Sequence, residues 1–190
     1  LWQSDTSVMR GSWCYSVQPD KAVYKAPQEI VQDLLDVVSK NGRLLLNFGP
    51  TPDGTLADKD VEILHKLADW MRVNDECIHG TGLWRINQEG PTKIQEGQFA
   101  DGASRNFTSE DFRFTCYAAC MACPADGKLH IRSLREADAS HLPLWHGIVR
   151  KVEVLGKPAQ VAWTRDGEAL HVDLGTYRSD MPVVVKIITD

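Results

Sequence analysis

The sequence lacks the features that would mark a membrane protein. No stretch approaches the roughly 18 consecutive apolar residues that a transmembrane helix needs, and the N-terminus has no basic segment followed by an apolar signal core. Residue 1 is Leu rather than Met, so we expect the true start of the protein to lie upstream. Low-complexity segments and internal repeats are also absent. With 43% hydrophobic and 25% charged residues, the composition is typical of a folded globular protein with no membrane partner.

Clusters of basic residues are also missing. The net charge is -5, and lysine and arginine are scattered along the chain, so no basic stripe could follow a phosphate backbone. We therefore expect no nucleic-acid partner.

Cysteine and histidine give no clear site. Five cysteines, an odd number, do not indicate a disulfide framework, and the six histidines show no ligand pattern. Cys116, Cys120 and Cys123 have a spacing that can hold an iron-sulfur cluster, but they lie in an apolar run of a predicted sheet. Buried strand cysteines are the interpretation we favour, and we expect no metal or cofactor.

Two periodicities divide the chain, and the change falls between Trp84 and Pro91. Before it, an apolar stripe from Ile30 to Val38 predicts a helix that begins near Pro27 and ends at Asn41-Gly42. The run Leu44 to Leu46 predicts a short strand buried on both faces and ending at Asn47. Acidic residues at 58 and 60 and a second helical stripe predict another helix, which ends near Asn74. With the strand-like segment LWQSDTSV at 1–8, the predicted order is strand, helix, strand, helix.

After Pro91 the hydrophobic period falls to two. Alternation at 170 to 174 and again at 183 to 187 predicts half-buried strands, and the first pairs with a strand near Trp163 across Asp166-Gly167. An antiparallel sandwich accounts for this pattern. We place two domains, residues 1–88 and 89–190.

Several segments resemble the alpha-L-fucosidase family of glycoside hydrolases. They are SWCY at 12–15, VYKAPQEIVQDLLDVVSKNGRLLLNFGPTPDGTL at 23–56 and ADWMRVNDECIHGTGLW at 68–84. Weaker similarity continues at 89–99, 107–115 and 152–172. The resemblance implies an α/β fold: the last units of a partial (β/α)8-type barrel, followed by an all-β antiparallel sandwich.

The resemblance also implies a function, with a fucosylated oligosaccharide or glycoconjugate as the partner. The full-length protein would be a retaining hydrolase that releases terminal L-fucose, located in the periplasm, a lysosome or outside the cell. Retention needs two carboxylates roughly 5 Å apart. Because no segment here matches the family's nucleophile strand, we expect both catalytic acids upstream of residue 1 and no turnover by this chain alone.

Two positions near the start of the chain bear on catalysis. Many family members carry a glutamate where this chain has Gln3, and a neutral amide cannot deliver a proton to a leaving group. Either the chain belongs to a branch whose acid/base lies further upstream, or the protein is catalytically impaired. Asp5 is a tempting nucleophile, but a local cap or turn carboxylate explains it as well, so no nucleophile is assigned.

Two residues are candidates for substrate binding. The resemblance places Trp13 against the apolar face of the sugar, a contact that suits a rigid indole, although a core tryptophan is the alternative. Asn47 ends a strand on the face that carries function in such barrels, and it either contacts the sugar or caps the loop. The rival interpretation of the whole chain is a non-catalytic fragment or a carbohydrate-binding accessory module.

The hairpin region Phe112 to Pro124 departs from the family. Relatives join two strands there through a Gly-Asp turn, whereas this run contains no turn residue. We expect the hairpin to be shortened or lost.

Overall fold

The computed structural model describes residues 1–18, 21–94, 105–137 and 142–190. Its first part contains strand β1 (Trp2–Ser7), helix α1 (Pro27–Ser39), strand β2 (Gly42–Asn47) and helix α2 (Asp58–Asn74). A short 3-10 turn, Asp75–Cys77, follows α2. The predicted order of strand, helix, strand and helix is confirmed.

Two parts of the sequence analysis lie outside the described residues. They are His141, one of the six histidines, and residues 95–99 of the segment at 89–99 that resembles the family.

Local chemistry explains where α1 begins and ends. Pro27 fits the first turn because its missing N–H needs no partner there. Ala26 has no capping side chain, but its amide donates a 2.8 Å hydrogen bond to the Glu29 carboxylate. At the other end Asn41 adopts a left-handed φ of 61°. The chain then turns directly into β2.

Strands β1 and β2 form a two-stranded parallel sheet, in register from Trp2 opposite Gly42 to Ser7 opposite Asn47. Helices α1 and α2 cover one face, where Leu46 packs against buried Ile30 and Ile63. The opposite face carries, in register, Gln3, Asp5 and Ser7 beside Arg43, Leu45 and Asn47.

The expectation that β2 is buried on both faces is wrong. Leu45, on the face away from the helices, is 47% exposed. The reason is that α1 and α2 lie on one side of this sheet, and no described element covers the other. A continuous apolar run therefore does not mean equal burial here.

Among the described residues after position 87, the chain forms eight strands. They are β3 (Gln88–Glu89), β4 (Phe112–Phe114), β5 (Tyr117–Cys120), β6 (Lys128–Ile131), β7 (Val149–Val154), β8 (Ala162–Arg165), β9 (Leu170–Asp173) and β10 (Val183–Thr189). They form a five-stranded sheet in the order β3-β4-β5-β10-β7 and a three-stranded sheet in the order β6-β9-β8. Every strand pair is antiparallel.

The two sheets enclose one hydrophobic core. Phe112 and Val185 of the larger sheet and Leu129 and Leu170 of the smaller one are fully buried in it. The predicted antiparallel sandwich is therefore observed. Trp163 lies opposite Val172, which confirms the pairing predicted across Asp166-Gly167.

The hairpin between β4 and β5 is present, so it is not lost. Phe114 pairs with Ala118, and the Thr115 amide donates to the Tyr117 carbonyl at 3.0 Å across the turn. Three residues thus connect Phe114 to Ala118.

Strand β10 differs from the half-buried strand that alternation predicts. Val183, Val184 and Val185 are all buried. Val183 and Val185 face the sandwich core, whereas Val184 packs with Leu35 of α1 and Trp70 of α2. The prediction is wrong for this half of the strand because helices cover the outer face of the sheet.

Buried polar contacts join the helices to the large sheet. Gln32 donates to the Met121 carbonyl at 2.7 Å, and the Trp70 indole donates to the Pro182 carbonyl at 2.9 Å. These hydrogen bonds satisfy groups that burial would otherwise penalise. Helices α1 and α2 therefore pack against the outer face of the five-stranded sheet.

Within the described ranges, neither helix has the length and apolar character to cross a bilayer.

Candidate functional site

The carboxyl ends of β1 and β2 form one edge of the parallel sheet. Ser7 lies opposite Asn47, and the Asn47 carbonyl accepts a 3.1 Å hydrogen bond from the Val8 amide. The Asn47 side-chain nitrogen also lies 3.3 Å from the Ser7 hydroxyl. In α/β barrels this edge carries the functional loops.

The loop that follows β1 is closed at its base by backbone pairing. The Arg10 amide donates to the Val23 carbonyl, and the Lys25 amide donates to the Val8 carbonyl, each at 2.8 Å. The Arg10 guanidinium also pairs with the Glu29 carboxylate in the first turn of α1. These contacts close the base of the loop and attach it to α1.

This loop carries Trp13 to the end of β2. The Asn47 side-chain nitrogen donates a 2.8 Å hydrogen bond to the Trp13 carbonyl, while 45% of the Trp13 residue surface is exposed. Gly49 is packed so closely under the loop that a Cβ there would lie 2.5 Å from the Tyr15 nitrogen. The structure therefore brings the two predicted site residues together, with the indole held half exposed at the sheet edge.

A cluster of partly buried charges, Lys25, Asp33 and Arg105, lies beside the same region. The Lys25 ammonium donates to the Thr6 hydroxyl and lies 3.9 Å from the Asp33 carboxylate. Arg105 binds that carboxylate at 2.6 Å. Burial raises the pKa of Asp33 above its ordinary value despite the two cations. The charges are therefore placed to hold β1 against α1.

Gln3 and Asp5 both lie on the open face of β1. The Gln3 amide donates to the Asp5 carboxylate at 2.7 Å, and both residues are exposed. Of the six side chains on this face of the two strands, one is a carboxylate. The face by itself does not supply the carboxylate pair that retention requires.

The three cysteines singled out by their spacing lie in different environments. Cys116 is exposed in the β4–β5 turn, Cys120 is buried in β5 and Cys123 is half-buried. Burial raises the pKa of the Cys120 thiol to about 12. The expectation of buried strand cysteines is right for Cys120 and wrong for Cys116 and Cys123, which lie outside the strands. Across the described ranges, no three His, Cys, Asp or Glu side chains are grouped as metal ligands.

Sequence reasoning missed one pair of residues. His130 and His171 lie side by side on the outer surface of the small sheet. The sequence places each histidine in a strand of alternating residues. Which residues lie opposite each other depends on the register of β6 and β9, and alternation alone does not determine that register.

Comparison with known proteins agrees with this architecture. Residues 1–76 match the family model described as Alpha-L-fucosidase. The tissue alpha-L-fucosidase of Mus musculus is 27% identical over 165 residues, which are 87% of this chain and 32% of that protein. The plasma alpha-L-fucosidase of Rattus norvegicus is 29% identical over 167 residues, which are 86% of this chain and 31% of that protein. The chain spans about a third of the length of these curated relatives.

Solved structures show the same fold. The crystal structure of Thermotoga maritima alpha-fucosidase in complex with fucose matches 97% of this chain and 39% of its own chain. The TM-score is 0.68 and the sequence identity is 24%. The match of residues 1–76 to the family model and the sequence relatives make this chain similar to the alpha-L-fucosidase family of glycoside hydrolases, and the solved structure shows the same fold.

Proposed function

We propose that this chain forms part of the sugar pocket of a retaining alpha-L-fucosidase that releases terminal L-fucose from glycans. The observation that carries the proposal is the hydrogen bond from Asn47 to Trp13, which fixes a half-exposed indole at the carboxyl edge of β1 and β2. A flat apolar ring in that position suits the C–H face of a sugar. The relatives are fucosidases, and the Thermotoga maritima protein is described as a complex with fucose.

The division of the chain is part of this proposal. Residues 1–88 are the C-terminal part of a (β/α)8-like catalytic barrel, and residues 89–190 are the sandwich domain. The parallel β1–β2 pair with its two helices corresponds to two consecutive βα units, and one βα unit is the repeat of such a barrel. Its uncovered face, with exposed Leu45, is where the interior of a complete barrel would lie.

In this proposal the reactive acids come from polypeptide upstream of residue 1. The open face presents a single carboxylate, Asp5, hydrogen-bonded to Gln3. Since Gln3 has no acidic proton to give, neither residue completes a nucleophile and acid/base pair. Trp13 then orients the sugar, and Asn47 acts through the loop as a positioning residue.

The test uses the full-length protein and a chromogenic alpha-L-fucoside. We expect turnover by the wild type, and a loss of at least about tenfold in kcat/KM for Trp13→Ala, which corresponds to about 1.4 kcal/mol. The matched control is Trp2→Ala. Trp2 is equally exposed, at 44%, but lies at the amino end of β1 and donates to the Lys40 carbonyl. We expect its kcat/KM to remain near that of the wild type.

The outcomes separate the two interpretations of the chain. Fucose binding without turnover in the full-length protein would favour a carbohydrate-binding accessory role. Turnover that is unaffected by Trp13→Ala would remove Trp13 from the pocket.

A further inference from the structure

Two histidines face each other on the outer surface of the small sheet. His130 of β6 lies directly opposite His171 of β9. Their Nδ1 atoms are 2.6 Å apart, and their rings are inclined at 76° with centroids 4.9 Å apart. At that distance one proton must lie between the two nitrogens, because two lone pairs or two N–H groups would repel.

A carboxylate orients one of the two rings. The His171 Nε2 atom lies 3.0 Å from Asp166 Oδ2. The other Asp166 oxygen, Oδ1, accepts hydrogen bonds from the amides of Glu168 at 2.8 Å and Ala169 at 3.1 Å. Asp166 is therefore fixed by its own turn, and it favours the tautomer in which His171 Nε2 carries hydrogen. The lone pair of His171 Nδ1 then points at His130.

We propose that His130 and His171 bind a divalent first-row cation such as Zn²⁺ through their Nδ1 atoms, with Asp166 as the positioning residue. Imidazole nitrogen suits Zn²⁺, Cu²⁺ and Ni²⁺. A carboxylate on the far nitrogen of a ligating histidine is the usual outer partner of a metal-bound imidazole.

Binding requires a small movement and a proton balance. Two Zn–N bonds of about 2.0–2.1 Å in tetrahedral geometry separate the nitrogens by about 3.3 Å, so the exposed rings must open by about 0.7 Å. The hydrogen on His130 Nδ1 is lost to solvent and one is taken up from solvent at Nε2, so no net proton is released, and each Nδ1 donates its lone pair to the ion. His130 then carries its hydrogen on Nε2.

The surroundings permit a cation at this position. His130 is exposed, so water can complete the coordination shell. Lys128 and Asp173, the next residues on this face, lie opposite each other and carry opposite charges. Asp166 adds a negative charge beside the histidines. The site belongs to the sandwich and does not depend on the proposed fucosidase activity.

The test measures Zn²⁺ binding to the full chain by calorimetry, with the exposed thiols of Cys14 and Cys116 alkylated beforehand. We expect one ion per chain in the wild type, and at least about tenfold weaker binding in His130→Ala and in His171→Ala. The double variant should lose little beyond either single variant because the two residues share one ion. NMR should show the ring protons of two of the six histidines responding first to Zn²⁺.

Asp166→Asn tests the positioning role. An asparagine can keep the turn through its oxygen, but its amide would donate to His171 Nε2 and force hydrogen onto Nδ1. We expect binding roughly 10- to 100-fold weaker, with the fold retained. The matched control is His79→Ala, because His79 also contacts a carboxylate, Asp75, through its ring. Stoichiometric binding by the double histidine variant, an equal loss in His79→Ala, or no binding by the wild type would each overturn the proposal.

Discussion

The side-chain amide of Asn47 donates a 2.8 Å hydrogen bond to the backbone carbonyl of Trp13, which lies 34 residues earlier in the chain. One end of β2 thus fixes the loop that follows β1. Because the contact uses the Trp13 backbone, it sets the position of the loop and leaves the indole exposed. The position proposed for the Trp13 indole therefore depends on this hydrogen bond.

Asn47→Asp should loosen the loop. The substitution keeps the size of the side chain but replaces the donor with a carboxylate that faces the Trp13 carbonyl. We expect a loss of about 1–3 kcal/mol in the free energy of unfolding. Hydrogen exchange at the amides of residues 13–15 should become faster. Ser7→Ala is the control, since its contacts with Asn47 are 3.3 and 3.5 Å and should matter less. Unchanged exchange in the loop would contradict the assignment.

Gly49→Ala should displace the loop after β1 that carries Trp13. A Cβ at Gly49 would lie 2.5 Å from the Tyr15 nitrogen and 2.7 Å from the Cys14 carbonyl carbon, and both are backbone atoms. We expect a destabilisation of about 1–3 kcal/mol, measured by urea denaturation. Gly82→Ala is the matched control, because its Cβ would meet Cys116 Sγ at an ordinary 3.6 Å. Equal effects of the two substitutions would argue against a tight loop contact.

The sequence predicts where the helices and strands form, but not which of their faces are buried. The stripe from Ile30 to Val38 and the run from Leu44 to Leu46 predict α1 and β2 because local periodicity determines which side chains share a face. Burial of each face depends on what packs against it. Leu45 is exposed and Val184 is buried for that reason, and both results contradict the pattern.

The candidate site, too, could be predicted only in part. Trp13 and Asn47 could be singled out from the family resemblance, and the chain does bring them together. That Asn47 holds the Trp13 carbonyl could not be predicted, because it depends on the path of a loop. The pairing of His130 with His171 needs the register of two strands that are 41 residues apart. Such contacts arise from the tertiary structure and leave no local signal.

Arg113→Met should destabilise the contact between the helices and the large sheet. The buried Arg113 guanidinium binds the buried Asp36 carboxylate at 2.5 Å and lies 5.0 Å from the centre of the Phe107 ring. Removing Arg113 leaves the buried Asp36 carboxylate with Lys40 as its cationic partner, at 2.9 Å, so we expect a cost of at most about 3–5 kcal/mol in chemical denaturation.

A second substitution distinguishes charge from packing. Adding Asp36→Asn to Arg113→Met should recover part of the lost stability, since the buried carboxylate, left with Lys40 as its cationic partner at 2.9 Å, is gone. Arg72→Met is the control, because its ion pair with Asp69 is exposed at 2.7 Å and should contribute at most about 1 kcal/mol. A loss that the second substitution leaves unchanged would assign the effect to packing.

The cysteines should react in an order set by burial. Cys14 and Cys116 are exposed, whereas Cys77 and Cys120 are buried, and burial raises the pKa of each buried thiol to about 12. The thiolate is the reactive form, so we expect iodoacetamide to modify Cys14 and Cys116 first at neutral pH. Mass spectrometry of digested protein gives the order, and urea should make all five cysteines reactive. Early modification of Cys120 would contradict its buried position.

Asp111 should make folding stability depend on pH in the acid range. Its carboxylate accepts four hydrogen bonds: from the Thr92 amide and hydroxyl, each at 2.8 Å, and from the Thr108 amide at 2.7 Å and hydroxyl at 2.9 Å. Burial pushes the pKa of Asp111 up, but these hydrogen bonds together outweigh it and hold the pKa below its ordinary value of 3.8.

The sign of the effect follows from proton linkage. In the unfolded chain the carboxylate takes up a proton near pH 3.8, while the folded protein resists protonation to lower pH. The stabilisation is therefore fully present above that value and is lost as the pH falls through the lowered pKa. Asp111→Asn should cost about 1–3 kcal/mol at pH 7, because an amide cannot accept all four hydrogen bonds. Urea denaturation of both proteins between pH 7 and pH 2 measures the difference, which should shrink below about pH 4. A difference that stays constant down to pH 2 would mean that the carboxylate charge contributes nothing.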